Sequence, residues 1–252
     1  MRLTDKTRWE YDNSHATLKN LDTIRKRDEW LRVVSQYMPD GDLDYLELGC
    51  APGQYTAILS ENREWNISGI DYSDDADLFT DTLKLVGKDV NLHKIDMFEE
   101  RVDATFDIVI SIGLVEHFRG SLLDDVFKLH DSYLSQGGHV VIQMPNFTGF
   151  QYLWHYLFDR KDLDNHNIDV MQPDSLKWFE DNGYEVIFND YVGTLRLWGN
   201  SSWSHIKIIS KIIVACGILF SKLALYLDFV GIKIRGRSWS PGLLFIAKKN
   251  FR

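Results

Sequence analysis

Tyr45-Leu46-Glu47-Leu48-Gly49-Cys50-Ala51-Pro52-Gly53 decides the fold of this chain. Tyr45 to Leu48 are mostly apolar and read as a buried strand. A turn rich in glycine follows, and Tyr55-Thr56-Ala57-Ile58-Leu59-Ser60-Glu61 reads as a helix. A strand that passes through such a turn into a helix presents backbone N–H groups at the helix N-terminus, where a nucleotide-like ligand can be cradled.

Working outward, the same alternation repeats. Trp65 to Asp71 reads as a second strand ending in an acid, and Asp74 to Val86 as a helix. Val90 to Ile95 is a third strand followed by Asp96. Phe106 to Ser111 is a fourth, with a continuous apolar core. Leu122 to Leu134 is a helix that Gly137-Gly138 closes, and His139 to Met144 is a fifth strand ended by Pro145-Asn146. Pro173-Asp174-Ser175 opens a further helix through Phe179. Tyr184 to Phe188 and Leu243 to Lys248 are the sixth and seventh strands. Strands alternating with helices predict an α/β fold: a mostly parallel, Rossmann-like sheet with helices on both faces. Ligands of such sheets bind beyond the C-terminal strand ends. Gly49, Asp71, Asp96, the Ser111–Phe118 segment and Met144-Pro145-Asn146 all fall on that rim.

The turn has the spacing Glu47-x-Gly49-x-Ala51-x-Gly53, and Asp71 follows Gly49 by 22 residues. An acid at the end of the second strand can accept both hydrogen bonds of a ribose diol. The Gly-x-Gly-x-x-Gly spacing of NAD folds is absent. This arrangement, over residues 43–146, resembles the class I SAM-dependent methyltransferases, whose first motif is an acid followed by glycines at alternate positions. The resemblance implies a seven-stranded sheet with an antiparallel last strand, and S-adenosylmethionine (SAM) as cofactor. It implies a cofactor set of Glu47, Gly49, Cys50, Ala51, Gly53, Asp71, Tyr72, Asp96, Met97, Ser111 and Ile112. Gly49, Ala51 and Gly53 would line the methionine part and Asp71 the ribose. Asp96 and Met97 would flank the adenine, and Ile112 would offer backbone to the amino group. Ala51 stands where the family usually has glycine, and Pro52 lacks an N–H.

Ser111-Ile112-Gly113-Leu114-Val115-Glu116-His117-Phe118 follows the fourth strand and resembles the Glu-His-aromatic signature of small-molecule methyltransferases. His117, with Glu116 beside it, is the first candidate for general base or acceptor-orienting residue, since imidazole titrates near neutral pH. A histidine that merely shapes the pocket is the alternative. His166 is the second candidate base. Asp164, His166 and Asp169 have donors suited to Mg or Mn, but Gly113 replaces the glutamate of one metal-dependent pattern and no Cys/His spacing suits zinc, so no metal is expected. Residues 147–170 are aromatic and read either as an irregular lid over the acceptor or as a helix packed on the core.

About fifty residues separate the last two strands. Within them 206–227 alternates apolar runs, too short to span a bilayer, with Lys207, Lys211 and Lys222. At about 100° per residue these lysines fall within about 60° of one another, with Ser210 and Ser221 alongside, opposite Ile208, Ile212, Leu219, Phe220, Leu223 and Leu227. This predicts a basic amphipathic helix, lying in a membrane interface or buried against protein. Trp198, Trp203 and Trp239 flank it. The net charge of −9 is uneven: −17 over 46–194 but +9 over 195–252. An acidic central region disfavours nucleic acid, and a basic apolar tail favours an anionic membrane surface. Two cysteines give no disulfide framework, and Met1 to Lys6 lack a signal peptide's apolar core, so a cytoplasmic protein is expected, peripheral to the inner membrane face if the insert binds lipid.

The domain reading is an N-terminal helical segment over 1–42, with one continuous helix from Leu21 to Met38, and a single domain over 43–252. The domain carries the lid at 147–170 and the basic insert at 190–240. The expected activity is O-methylation of a small or lipid-linked acceptor, such as a sugar hydroxyl of a surface-glycan precursor. The alternatives are a quinone or polyketide O-methyltransferase, or a non-catalytic SAM-binding protein at a membrane.

Overall fold

The computed structural model describes residues 16–197 and 208–251. Strands with apolar residues at consecutive positions must bury both faces, and that is how the sheet is built. Its seven strands are β1 (Leu43–Leu48), β2 (Trp65–Ile70), β3 (Val90–His93), β4 (Phe106–Ile112), β5 (Leu134–Pro145), β6 (Tyr184–Val192) and β7 (Gly242–Lys249). Their order is β3-β2-β1-β4-β5-β7-β6, with β7 antiparallel to both neighbours and the rest of the sheet parallel. Alternate side chains go to opposite faces. Tyr45, Ile108, Ile110, Val141 and Leu244 pack against α1 (Leu18–Arg27), α2 (Glu29–Tyr37), α3 (Gln54–Ser60) and α4 (Asp77–Lys84). Leu46, Val109, Val140, Ile142 and Phe245 pack against α5 (Ser121–Tyr133) and α8 (Lys177–Asp181).

Three local expectations need correction. The single helix over 21–38 is two, broken at Asp28, whose backbone is extended. Its buried carboxylate accepts from Arg27, from Tyr55 and from Arg196, and these partners draw the residue out of helical register. Gly137-Gly138 does not close α5, because the chain passes straight from Tyr133 into β5. The second glycine serves a close approach: a Cβ at Gly138 would lie 2.9 Å from the Asp107 carbonyl, where β5 carries extra residues opposite β4. Of the two readings of residues 147–170 the irregular one fails, because they form α6 (Gly149–Phe158), α7 (Arg160–Asn165) and a single 3-10 turn, Ile168–Val170.

Asn146 is fully buried and fastens the end of β5 to the segment before β7. Its amide donates to the carbonyls of Arg237 and Ser240 at 2.9 and 2.8 Å, and its Oδ1 accepts from the Thr148 hydroxyl at 2.6 Å. The insert contains α9 (Ile208–Phe229). Ser221, expected on the outer polar side with the lysines, is buried instead. Gly217, Ser221 and Ala224 turn inward, with Gly217 against the Trp154 ring and the Ser221 hydroxyl accepting from the Leu197 N–H at 2.8 Å. Ile218, Leu219, Phe220, Leu223 and Tyr226 are exposed. Small side chains permit the close approach of the helix, which forces the bulky ones outward. Among the described residues no helix is long and apolar enough to cross a membrane. Trp9, Tyr11, Trp198, Trp203, Lys207 and the side chains of Ile208, Ser210, Lys211 and Ile212 lie outside what the structure describes.

Candidate active site

The turn after β1 is held from beneath. The Ile70 carbonyl accepts from the N–H groups of Gly49 and Cys50, so the end of β2 pins the end of β1. Gly49 and Gly53 have φ of +67° and +78°, which L side chains rarely adopt. A Cβ at Gly53 would lie 2.5 Å from the Phe79 ring. Asp71 closes the turn, accepting from Ala51 N–H at 3.0 Å through Oδ2 and from Ser73 N–H at 2.8 Å through Oδ1. Each oxygen accepts one of these bonds and has capacity for another, so the carboxylate can still receive a diol. Alanine therefore suits the usual glycine position, since its N–H is the group Asp71 takes.

Glu47 does not face the rim. It is buried, accepts the Thr56 hydroxyl, and shares that hydroxyl with Tyr45. Burial pushes its pKa up to about 8, against the opposing Thr56 bond and with a smaller push from Asp71. Cys50 is also buried, with Sγ beneath Gly69, so only its backbone is at the turn. The Ser111 hydroxyl bonds His130 Nε2 at 2.9 Å in the core and is turned away from the rim. Tyr72 is exposed, Asp96 accepts from Phe98 N–H, and Met97 is buried beside them. Ile112 pairs with Gln143 of β5. The groups present fit the ribose and methionine parts of a nucleoside sulfonium: Asp71 accepts with spare lone pairs, and two left-handed glycines keep the turn open.

His117 and His166 are brought together although 49 residues separate them. Their ring centroids are 4.7 Å apart, and Phe147 packs edge-on against His166. Three bonds pin the two segments: Asn167 N–H to the Glu116 carbonyl at 2.6 Å, Asn167 Nδ2 to the Phe118 carbonyl at 2.8 Å, and Arg119 Nη2 to the His166 carbonyl at 2.7 Å. Glu116 joins the pair, and the ligating atoms of Glu116, His117 and His166 lie within 4.8 Å of one another. Desolvation, then the neighbouring His166, pushes the His117 pKa down to about 3, so its imidazole is neutral at neutral pH. The cation set of Asp164, His166 and Asp169 is not assembled: Asp164 is exposed and bonds Arg160 at 3.0 Å, and Asp169 is exposed.

A cavity of about 330 Å³ lies beside this rim, between the α1–α2 junction, the start of α3 and the ends of β5, β6 and β7. Asp28, Thr194 and Arg196 line it, and the sequence reading missed all three. One signal pointed to Asp28. Leu21, Ile24, Asp28 and Leu31 have helical spacing, which puts an acid on an apolar stripe.

A family model described as a methyltransferase domain matches residues 12–188. No curated protein sequence matches the chain. The fold is similar to that of a protein from Pyrococcus horikoshii OT3, at 14% identity and a TM-score of 0.59 over 94% of both chains. It is similar to a SAM dependent methyltransferase from Archaeoglobus fulgidus, at 20% identity and a TM-score of 0.55 over 91% of this chain and 94% of that one. It is similar also to the N-methyltransferase NodS from Bradyrhizobium japonicum WM9 in complex with S-adenosyl-L-homocysteine, at 13% identity and a TM-score of 0.51 over 89% and 86%. At these identities the likeness is one of fold.

Proposed function

The chain belongs to the class I SAM-dependent methyltransferase family, and from that premise we propose that it methylates a hydroxyl group of a small acceptor. S-adenosylmethionine is the methyl donor; bound, it supplies a methyl group on a positively charged sulfur. Asp71 and the Gly49–Gly53 turn hold it, with Asp96 and Met97 on the adenine side and the Ile112 backbone at the methionine end.

The observation that carries O-methylation is the His117–His166 pair, assembled beside Glu116 on the loop that follows β4. A hydroxyl must lose its proton as it is alkylated, whereas an amine need only be neutral. His117, neutral because it is desolvated, accepts the acceptor O–H and hands the proton toward His166. The pair also orients the acceptor oxygen, because the bonds of Asn167 and Arg119 hold the His117 and His166 segments together beside Glu116.

The acceptor is lipid-linked in this reading. The outward face of α9, with Leu219 at 67% and Phe229 at 87% exposure, favours a peripheral membrane contact, and Lys222 beside it suits anionic headgroups. A quinone or polyketide hydroxyl is the second reading, favoured by Phe147 against His166 and by Phe98 against Phe118.

Calorimetry with SAM and a methylation assay test the proposal together. Asp71→Ala is expected to weaken SAM binding by more than tenfold, and unchanged affinity would remove the ribose assignment. His117→Ala is expected to slow turnover by about a hundredfold while sparing SAM affinity; unaltered turnover would end its role as base.

A further inference from the structure

We propose that the cavity beside α1 and α2 is the seat of the acceptor, and that the acceptor is a neutral, hydroxyl-rich ring such as a sugar. The inference rests on the methyl-transfer reading and deepens it by giving the acceptor a place and a class.

The position is the first argument. The cavity is bounded by Gln143 at the end of β5, by Gly242 at the start of β7 and by Tyr55 in the first turn of α3. Gln143 is the register partner of Ile112, and its carbonyl accepts from Gly113 N–H at 2.9 Å. Glu116 Oε1 lies 3.6 Å from where a Cβ on Gly113 would stand. Through Gln143 the cavity therefore borders the end of β4, from which the chain runs on to Glu116 and His117.

The lining gives the class. Trp30 and Tyr55 pack with ring centroids 4.9 Å apart and form an apolar wall. The charged groups facing it are already neutralised. Asp28 takes both Arg27 nitrogens at 2.9 Å, Arg196 at 2.6 Å and the Tyr55 hydroxyl at 3.0 Å. Glu29 Oε1 takes Arg235 at 2.7 Å and Arg32 at 2.9 Å. Arg25 and Lys26 also line the cavity, and they pair with Asp22 and Glu61; with each lining cation matched in this way, the site does not call for an anion. Two lining atoms have no hydrogen-bond partner: the hydroxyl of Thr194, a residue only 5% exposed, and Glu29 Oε2. A buried hydroxyl and a buried carboxylate oxygen without partners are rare in native interiors. Glu29 Oε2 accepts only, so its missing partner is a donor, and Thr194 can serve in either sense. A ring with apolar faces and a hydroxylated rim meets the aromatic wall and both atoms at once. The volume is at the lower end of ligand sites, which run on the order of 300–1,000 Å³.

The test uses the full chain saturated with S-adenosyl-L-homocysteine. Saturation-transfer NMR is run with methyl α-glucoside, methyl α-galactoside, methyl α-mannoside and glucuronate, with catechol as the aromatic counter-probe. A neutral glycoside is expected to receive saturation. Its affinity should fall about tenfold in Thr194→Val, which keeps the shape and removes the hydroxyl, with homocysteine-adduct affinity unchanged. The proposal is overturned if the adduct binds and no glycoside does, if catechol or glucuronate alone binds, or if Thr194→Val binds the glycoside as well as the parent. Failure of the adduct itself to bind would instead bring down the methyl-transfer reading, and this inference with it.

Discussion

Gly53 and Gly217 each stand where a methyl group would strike an aromatic ring, Phe79 in one case and Trp154 in the other. What surrounds them is opposite. Around Gly53 everything large is inside: Phe79 and Leu83 are fully buried, and the turn they support is pinned by Ile70 and Asp71. On the described part of α9 only the small Gly217, Ser221 and Ala224 are buried, while Leu219, Phe220, Leu223 and Phe229 are exposed. The same device closes a cradle in one place and docks a helix by its narrow face in the other. A glycine at a tight contact thus marks close approach, and the side chains beside it tell whether the contact ends the fold or leaves a surface for something else.

If the sheet half is truly dry, acid should undo it first. Burial lowers the pKa values of His117, His130 and His155 to about 3, 4 and 4, with the neighbouring His166 also lowering His117 and His155. All three are neutral in the fold while the unfolded chain takes up protons below about pH 6.5. Their contribution is intact above that value and is lost as pH falls toward 4, at up to about 1.4 kcal/mol per pH unit for each histidine. Urea titrations between pH 7 and 4 should show this fall, with a shallower slope in His130→Gln; stability flat across that range would break the comparison at its buried end.

The glycines themselves come next. Gly53→Ala must adopt a left-handed φ against a fixed ring and should cost about 2–4 kcal/mol, with loss of SAM binding. Gly217→Ala meets Trp154 on a helix that can move outward and should cost about 1 kcal/mol. Equal losses in urea titration would erase the difference between the two places.

The smallest effect on stability belongs to the outer face of α9. Leu219→Ser with Leu223→Ser should change stability by no more than about 0.5 kcal/mol, because both are exposed. The same double variant should lose sedimentation with anionic liposomes. A loss of several kcal/mol would mean that the protein itself covers this face.

The sheet was legible because runs such as Val140-Val141-Ile142 bury both faces and need no context to be read as strands. The acids at the strand ends were legible for the same reason, since a strand's end fixes its rim residue. His117 and His166 could each be nominated, but their meeting depends on the bonds of Asn167 and Arg119, which no spacing reveals. The break at Asp28 depends on Arg196, 168 positions away. Gly137-Gly138 was read as a stop because glycine's usual role there is to end a helix, whereas here it makes room for a bulge. For α9 the apolar period left open whether the bulky face turns to protein or away from it, and Leu219, Phe220 and Leu223 turn away. Amphipathicity identifies a wide apolar face without saying whether protein covers it, and the inward stripe of Gly217, Ser221 and Ala224 carried the packing instead.

Val192 and Gly242 are register partners, so the excursion of residues 193–241 leaves the sheet and returns to it at one point. A segment anchored in this way is a cartridge. Its length can drift, since doubling a loop adds only about 0.6 kcal/mol of closure entropy, and its contents can be exchanged without moving a strand. Thr194 and Arg196 belong to the cartridge while Gly49, Gly53 and Asp71 belong to the frame. With the acceptor seated as proposed, selection can rewrite what this protein accepts while leaving untouched what it donates.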